Sequence, residues 1–263
     1  MPDTPNNPTP LPAATIVIAR DAESGFEVFM VKRHHQIDFV AGALVFPGGK
    51  VAPGDFDAGL EAHFDGADDW SAEDRALGAA AIREAFEESG ILFAREEGAS
   101  ALVSAQRAAA LAHYRAALDK REISLLDMLR KEKLRLACDR LTRFAHWITP
   151  KMMPKRFDTH FFLAAAPESH AGMHDGREAV DSIWIAPAAA IADRKKWNVV
   201  FPTKLNLMKL AKANSVADAI AAARAHPPLT VEPWIEDGPD GQVLRIRGDA
   251  GYEQTSARLK EAM

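Results

Sequence analysis

The stretch from Arg83 to Ile91 constrains the fold and the chemistry of this chain more than any other. It reads Arg-Glu-Ala-Phe-Glu-Glu-Ser-Gly-Ile, with carboxylates at positions 84, 87 and 88. On a helix, residues spaced i, i+3 and i+4 share one face, so the three negative charges would converge and repel one another. A divalent cation that prefers oxygen ligands, Mg²⁺ or Mn²⁺, would offset this repulsion. The stretch predicts either a metal-binding helix or, as the simpler alternative, a solvated acidic face.

The sequence upstream favours the metal site. Residues 43–45 are a short apolar run that leads into Phe46-Pro47-Gly48-Gly49-Lys50, which predicts a strand entering a tight glycine turn. Backbone without side chains can approach a phosphate or a metal closely. A strand, a glycine turn and an acidic helix together indicate a phosphate-metal site.

With these two elements the chain resembles the Nudix hydrolases, whose signature is GX5EX7REUXEEXGU, where U is a bulky aliphatic residue. Residues 83–91 match its second half, with Ala85 at a U position, and Gly49 starts its first half. Asp55 stands where the family has Glu, and it precedes Arg83 by 28 positions (83 − 55). In the signature the acid precedes the arginine by only 8 positions, so about 20 residues are inserted in this chain. Residues 56–75 are predicted to form a surface excursion.

The resemblance covers roughly residues 13–250 and extends to the branch that includes coenzyme A diphosphatases. Four further segments carry it: His146–Pro150, Pro154–Ala164, Trp184–Pro187 and Phe201–Thr203. The coenzyme A signature described for that branch, LLTXR(S/A)X3RX3GX3FPGG, is matched at Arg33, Gly42 and residues 46–49. His34 and Asp38 depart from it, and Asp38 places a negative charge where the signature has an arginine.

The resemblance implies a fold and a domain organisation. We expect an α/β fold, a Nudix-type α/β/α sandwich with a mixed sheet and an inserted helical hairpin. Residues 13–250 would form this single domain, with insertions at 56–75 and 99–141, the latter broken near residues 122–124. Residues 1–12, rich in Pro, Asn and Thr, are predicted to be a flexible arm, and residues 251–263 a tail. The helical insertion would be either a lid over the substrate or only structural.

The resemblance also implies which residues do the chemistry. The metal ligands would be Glu84, Glu87 and Glu88, holding Mg²⁺ or Mn²⁺. The catalytic residues would be Glu84, Glu87 and Arg83, with Glu84 near the attacking water and Arg83 orienting the carboxylates through an ion pair.

Substrate binding is assigned to residues outside the helix, namely Arg33, Gly48, Gly49 and Arg156. For the arginines an ordinary ion pair is the alternative, and for the glycines an ordinary tight turn. Glu178 is a further acid that would support metal or substrate, with a surface acid as its alternative. His160, among three phenylalanines, is interpreted as structural.

Composition and charge limit the classes of partner that this chain is expected to bind. The net charge of −5 and the isoelectric point of about 6.0 give no basic field for nucleic acid. No run of 18 apolar residues and no signal pattern is present, so a membrane partner is not expected. Cys138 is the single cysteine, so an intrachain disulfide is excluded, which fits a cytoplasmic protein. We expect its side chain to be a buried packing thiol. Homodimerisation is left open.

The resemblance, together with the acidic cluster, implies a Nudix pyrophosphohydrolase that needs a divalent metal and acts on a small nucleoside diphosphate derivative. Coenzyme A or acyl-coenzyme A is the first expectation for the substrate. One alternative is ADP-ribose or another nucleoside diphosphate derivative. The other is a non-catalytic ligand sensor with the Nudix fold, against which the three retained acids argue.

Overall fold

The computed structural model describes residues 8–23, 25–33, 42–168, 170, 172, 179–193, 196–239 and 241–262. Three residues singled out in the sequence, His34, Asp38 and Glu178, lie outside the described residues. Of Arg33, only the backbone is described.

The strands follow one another as β1 (Leu11–Asp21), β2 (Phe26–Arg33), β3 (Leu44–Val45), β4 (Gly48–Lys50), β5 (Phe64–Asp65), β6 (Ala94–Glu96), β7 (Leu134–Ala137), β8 (Thr142–Ile148), β9 (Phe157–Ala165), β10 (Ala179–Ile185), β11 (Thr230–Val231), β12 (Trp234–Gly238), β13 (Gly241–Arg245) and β14 (Ser256–Arg258). The α-helices are α1 (Ala72–Ser89), α2 (Ala105–Ala110), α3 (Arg115–Asp119), α4 (Leu125–Glu132), α5 (Pro187–Ala192), α6 (Phe201–Leu210), α7 (Val216–Ala225) and α8 (Leu259–Ala262). Short 3₁₀ turns lie at Pro53–Phe56, Ala58–His63, Ala112–Tyr114 and Cys138–Arg140.

The main sheet is mixed. Its strands run in the order β10-β2-β1-β9-β8-β11, with β3 paired to β2 and β4 paired to β1. Strand β1 is antiparallel to β2 and β4 but parallel to β9. This pairing brings the amino-terminal strand to the middle of the sheet and sets the glycine strand β4 beside it.

Both faces of the sheet are buried, because the central strand presents apolar side chains alternately to each side. Ile16 and Ile18 pack with α1 and the helical insertion, whereas Val17 and Ala19 pack with α6 and α7. The result is helix, sheet, helix. The predicted α/β/α sandwich with a mixed sheet is confirmed.

The helical insertion is broken where the sequence predicts it, between α3 and α4. It is not a simple hairpin, however, since its last part forms strand β7, which pairs with β5 and β6 in a small separate sheet. Residues 56–75 also differ from the expected surface excursion. Leu60 and Ala67 are buried in the core around α1. The inserted residues therefore add to the core instead of looping away from it.

The two chain ends are more ordered than the sequence predicts. Leu11 and Pro12, assigned to the flexible arm, begin β1 and pair with Phe157 and Asp158. Residues 251–263, assigned to a tail, supply β14 and α8, and the Tyr252 side chain is buried in the core beside α6. Cys138 is buried as expected, and burial raises the pKa of its thiol to about 12. Within the described ranges, no helix is long and apolar enough to cross a membrane.

Candidate active site

Helix α1 carries the acidic cluster and is fixed at both ends. The Ser71 side chain caps its first turn by accepting from the Asp74 amide, and Gly90 ends it in the left-handed conformation, with φ 72°. A Cβ would strain this conformation, which explains the glycine. Ile82, Ala85 and Phe86 face the core. The helix is thereby held against β1 and β4 with its acidic residues turned towards the glycine strand.

Arg83 is the centre of the cluster. Its Nη1 donates to Glu84 Oε1 at 2.8 Å and to Glu87 Oε2 at 3.0 Å, and its Nη2 donates to the Lys50 carbonyl at 3.0 Å. Burial alone would lower the pKa of this guanidinium, but the carboxylates of Glu84, Asp55 and Glu87 raise it above its ordinary value. Arg83 thus remains a cation that holds several acids in one place.

Asp55 completes the cluster although the chain separates it widely from the helix. Its carboxylate accepts from Arg83 Nε at 3.0 Å and from Arg83 Nη2 at 2.9 Å, and it also accepts from the Ala52 amide at 2.8 Å. The aspartate is 3% exposed. A bidentate, buried pair of this kind fixes the guanidinium in one orientation. The insertion of residues 56–75 therefore leaves the two halves of the motif in contact.

The glycine strand touches the acidic helix directly. The Gly48 amide donates to Glu88 Oε2 at 3.0 Å. A Cβ added at Gly49 would lie 2.4 Å from Glu84 Oε1, and one added at Gly48 would lie 2.6 Å from the Ala14 carbonyl. At Gly48 the neighbouring backbone of β1 excludes a side chain, whereas at Gly49 a side chain would displace the Glu84 carboxylate.

Glu87 has a strongly raised pKa. Burial raises its pKa to about 8, Arg83 opposes that rise, and the charges of Glu84 and Asp119 add to it. Its Oε1 is buried and has no hydrogen-bond partner among the described residues. An orphaned buried carboxylate oxygen costs free energy unless a proton or a cation satisfies it.

This donor set fits a divalent cation. Carboxylate oxygens of Glu84 and Glu87, with Glu88 beside them, are the hard ligands that Mg²⁺ and Mn²⁺ prefer. The unsatisfied Glu87 Oε1 supplies a place for such an ion. Glu88 differs from the other two, since one of its oxygens is held by the Gly48 amide and it is not among the residues that line the adjoining cavity.

A cavity of about 1420 Å³ opens in front of the cluster. Arg83, Glu84, Glu87, Gly48 and Gly49 line one end of it. A largely apolar part of its wall is formed by Leu118, Ile123, Trp147, Ile148, Met152, Met153, Phe157, Pro233 and Ile235. The helical insertion supplies part of this wall, and the Arg115 guanidinium anchors it by donating to the Glu87 carbonyl at 3.0 Å.

One predicted substrate-binding residue, Arg156, is not among the residues that line this cavity. Arg156 donates to the carbonyls of Pro8 and Thr149 and pairs with Glu232 at 2.6 Å, and it is 5% exposed. It ties the amino-terminal segment to the sheet, so we assign it a structural role in place of the predicted phosphate contact. The side chain of Arg33 lies outside the described part of the chain.

Other charged residues line the cavity and were not singled out from the sequence. Lys50, Arg121 and Lys155 bring cationic groups to it, and Asp119 lies near Glu87. Lys50 directly follows the glycine turn, which was a usable signal. Arg121 and Asp119 belong to the insertion, and no pattern in the sequence relates that segment to the acidic helix.

The fold and the cluster define an α/β/α protein of the Nudix class. A family model described as the NUDT19 Nudix domain matches residues 62–206, more than half of the chain. The chain therefore belongs to the NUDT19 Nudix domain family.

Two relatives illustrate how far the similarity extends. The chain is 25% identical over 218 residues to the acyl-coenzyme A diphosphatase NUDT19 of Xenopus laevis, a match that covers 68% of this chain and 57% of that protein. It thus spans little more than half the length of this curated relative. The crystal structure of a Nudix hydrolase from Alicyclobacillus acidocaldarius superposes with a TM-score of 0.67 at 26% identity, over 81% of this chain and 96% of the other.

Proposed function

We propose that this protein is a metal-dependent Nudix pyrophosphohydrolase that acts on coenzyme A or acyl-coenzyme A. Water would add to one phosphorus of the diphosphate and the bridging P–O bond would break. The products would be 3′,5′-ADP and 4′-phosphopantetheine or its acyl form. The observation that carries this proposal is the Asp55–Arg83 pair, which holds Glu84 and Glu87 together at one end of the cavity.

The residues of the cluster have distinct tasks in this proposal. Glu84 and Glu87 would hold Mg²⁺ or Mn²⁺, with Glu88 bracing the glycine strand through the Gly48 amide. A bound divalent ion would neutralise the diphosphate oxygens and lower the pKa of a coordinated water. Arg83 keeps the two glutamates in register, and the absence of side chains at Gly48 and Gly49 lets β4 lie directly beside them.

The rest of the cavity supports a substrate with one charged and one apolar part. Lys50, Arg121 and Lys155 can attract phosphate oxygens. The wall that contains Ile123, Met152 and Met153 can accept an apolar chain. The NUDT19 relative is named an acyl-coenzyme A diphosphatase, and its substrate has these two parts.

Chromatographic product analysis tests the proposal. Purified protein with Mg²⁺ or Mn²⁺ is given coenzyme A, an acyl-coenzyme A, ADP-ribose and NADH in separate reactions. Release of 3′,5′-ADP from the first two is expected, with loss of at least about a hundredfold in Glu87→Gln. Glu73→Gln is the matched control, because Glu73 lies on the same helix but is exposed.

Two other outcomes would change the proposed function. Cleavage of ADP-ribose or NADH alone would retain the hydrolase and reject the coenzyme A substrate. No turnover of any compound with either metal, together with measurable ligand binding, would favour the sensor.

A further inference from the structure

A second cluster of metal-binding side chains lies outside the cavity, on strands β8 and β9. His146 and His160 face each other across this antiparallel pair, and Asp158 lies two residues before His160 on the same face. One ligand atom from each of the three residues lies within 4.8 Å of the others. The cluster is accessible to solvent, since the Asp158 side chain is 36% exposed and that of His160 23%.

This cluster is separate from the acidic cluster on α1. Side chains alternate across a strand, and Trp147, Phe157, Thr159 and Phe161 line the cavity. His146, Asp158 and His160 occupy the alternate positions and therefore face the other side of the sheet, on which α1 also packs. The cluster lies beside the first turn of α1, where the charge of Asp74 acts on the His160 imidazole. Glu84 is 10 residues further along the helix (84 − 74), about 15 Å at the rise of an α-helix. An ion bound here would not touch the candidate active site.

The distances suit a small cation after a modest adjustment. His146 Nε2 lies 2.5 Å and His160 Nε2 lies 3.7 Å from Asp158 Oδ1. In tetrahedral coordination with bonds of about 2.0–2.1 Å, ligand atoms are separated by about 3.3 Å. For an ion to bind, the first pair of atoms would have to move apart and the second pair would have to move closer.

A hydrogen-bond partner of His146 is compatible with the protonation state that metal binding requires. His146 Nδ1 lies 2.8 Å from the Thr230 hydroxyl, which can donate or accept a hydrogen bond. When the hydroxyl donates to Nδ1, Nε2 carries the proton towards Asp158. When Nδ1–H donates to the hydroxyl, Nε2 presents its lone pair, as in histidine sites that are oriented by an outer hydrogen bond.

We propose that His146, Asp158 and His160 form a second metal site for Zn²⁺ or a similar late first-row ion. Two imidazole nitrogens and one carboxylate are a ligand set that Zn²⁺ accepts, with the fourth position open to water. The all-carboxylate cluster on α1 favours harder ions. Because its ligands come from β8 and β9, and because Thr230 belongs to β11, the ion would crosslink this edge of the sheet.

Metal binding by the Glu87→Gln protein tests the site, because that background weakens the acidic cluster. Zn²⁺ binding is measured by calorimetry and thermal unfolding, and Co²⁺ replaces it as a probe of coordination by visible absorption. Zn²⁺ at a hundredfold excess over its dissociation constant should raise the melting temperature by about 5–10 °C. Adding His160→Gln or Asp158→Asn should weaken binding at least about tenfold and remove the Co²⁺ absorption band.

His226→Gln is the control, since His226 is exposed and distant in the chain from the cluster. The metal-free melting temperature and circular dichroism of each variant show whether it folds. Equal Zn²⁺ affinity in the control and in both cluster variants would reject the site, and so would absence of Zn²⁺ binding to the Glu87→Gln protein. These measurements use no substrate, so they do not depend on the proposed hydrolase activity.

Discussion

At the scale of single residues, one guanidinium organises the site. Arg83 contacts Asp55, Glu84 and Glu87, and its own side chain is only 10% exposed. The sequence predicts Arg83 as the orienting residue and the neighbouring glutamates as its partners. It does not predict the Asp55 contact, because an aspartate replaces the expected glutamate and many residues intervene. Only the folded backbone shows that the two side chains meet.

Loss of the Asp55 charge should loosen the cluster without unfolding the protein. In Asp55→Asn the bidentate ion pair with Arg83 is lost, and we expect activity and Mn²⁺ affinity to fall by about 10–100-fold. Steady-state kinetics and Mn²⁺ titration measure the two effects. Asp57→Asn is the control, because Asp57 is exposed and caps only a short turn. Equal activity of the two variants would mean that Asp55 does not orient Arg83.

The raised pKa of Glu87 makes the stability of the metal-free protein depend on pH. The folded protein keeps this proton to about pH 8, whereas the ordinary pKa is 4.5, so stability should fall as the pH rises between these values. Glutamine cannot ionise. We expect Glu87→Gln to be more stable than the wild type at pH 8, on the order of 1 kcal/mol or more, and nearly equal below pH 4.5.

Urea unfolding with a chelator present, repeated across this pH range, measures the difference. Glu73→Gln should follow the wild type at every pH, because that side chain is exposed. A constant difference between Glu87→Gln and the wild type would show that Glu87 titrates normally.

At the scale of secondary-structure elements, the site depends on how closely β4 approaches α1. The helix and the glycine turn are both predictable from sequence, the first from its spacing of acids and the second from Phe46-Pro47-Gly48-Gly49. The contact between the helix and the glycine turn cannot be predicted from the sequence, since it arises from the antiparallel pairing of β4 with the central strand β1. Likewise, nothing in the sequence shows that Arg115 anchors the insertion to the end of α1.

A methyl group at Gly49 should displace the Glu84 carboxylate from its place in the cluster. Gly49→Ala places a Cβ 2.4 Å from Glu84 Oε1, so the Glu84 carboxylate must move away from its position beside Arg83. We expect at least a tenfold loss of Mn²⁺ affinity and of turnover. Gly248→Ala, where a Cβ meets nothing within 4 Å, is the matched control. Wild-type Mn²⁺ affinity in Gly49→Ala would show that the close approach is unnecessary.

At the scale of the whole molecule, the sequence predicts the α/β/α layers correctly and misplaces the ends of the domain. The acidic helix and the strand with its glycine turn, predicted from residues 83–91 and 43–50, are present as α1 and as β3 and β4. The role of residues 251–263 is missed because a short polar segment gives no periodic signal. In the structure, Tyr252 joins distant parts of the chain: it donates to Asn206 Oδ1 at 2.6 Å and accepts from Trp147 Nε1 at 3.0 Å.

Removal of the Tyr252 hydroxyl should destabilise the molecule as a whole. Tyr252→Phe leaves the buried Trp147 Nε1 and Asn206 Oδ1 without this partner, which should cost about 1–3 kcal/mol. The midpoint of urea unfolding measures the loss. Tyr114→Phe is the comparison, because that hydroxyl bonds the partly exposed Glu132, and a smaller effect is expected. An unchanged midpoint for Tyr252→Phe would mean that the carboxyl-terminal segment is not integral to the fold.

The most direct test of the central claim is Mn²⁺ binding followed by electron paramagnetic resonance, for the wild type and for Glu87→Gln. The claim is that the interrupted motif reassembles into one divalent-metal site at the end of the cavity. Wild-type protein should bind Mn²⁺, and Glu87→Gln should bind it at least about tenfold more weakly and lose hydrolysis in parallel. Equal Mn²⁺ affinity in the two proteins, or undiminished hydrolysis by Glu87→Gln, would contradict it.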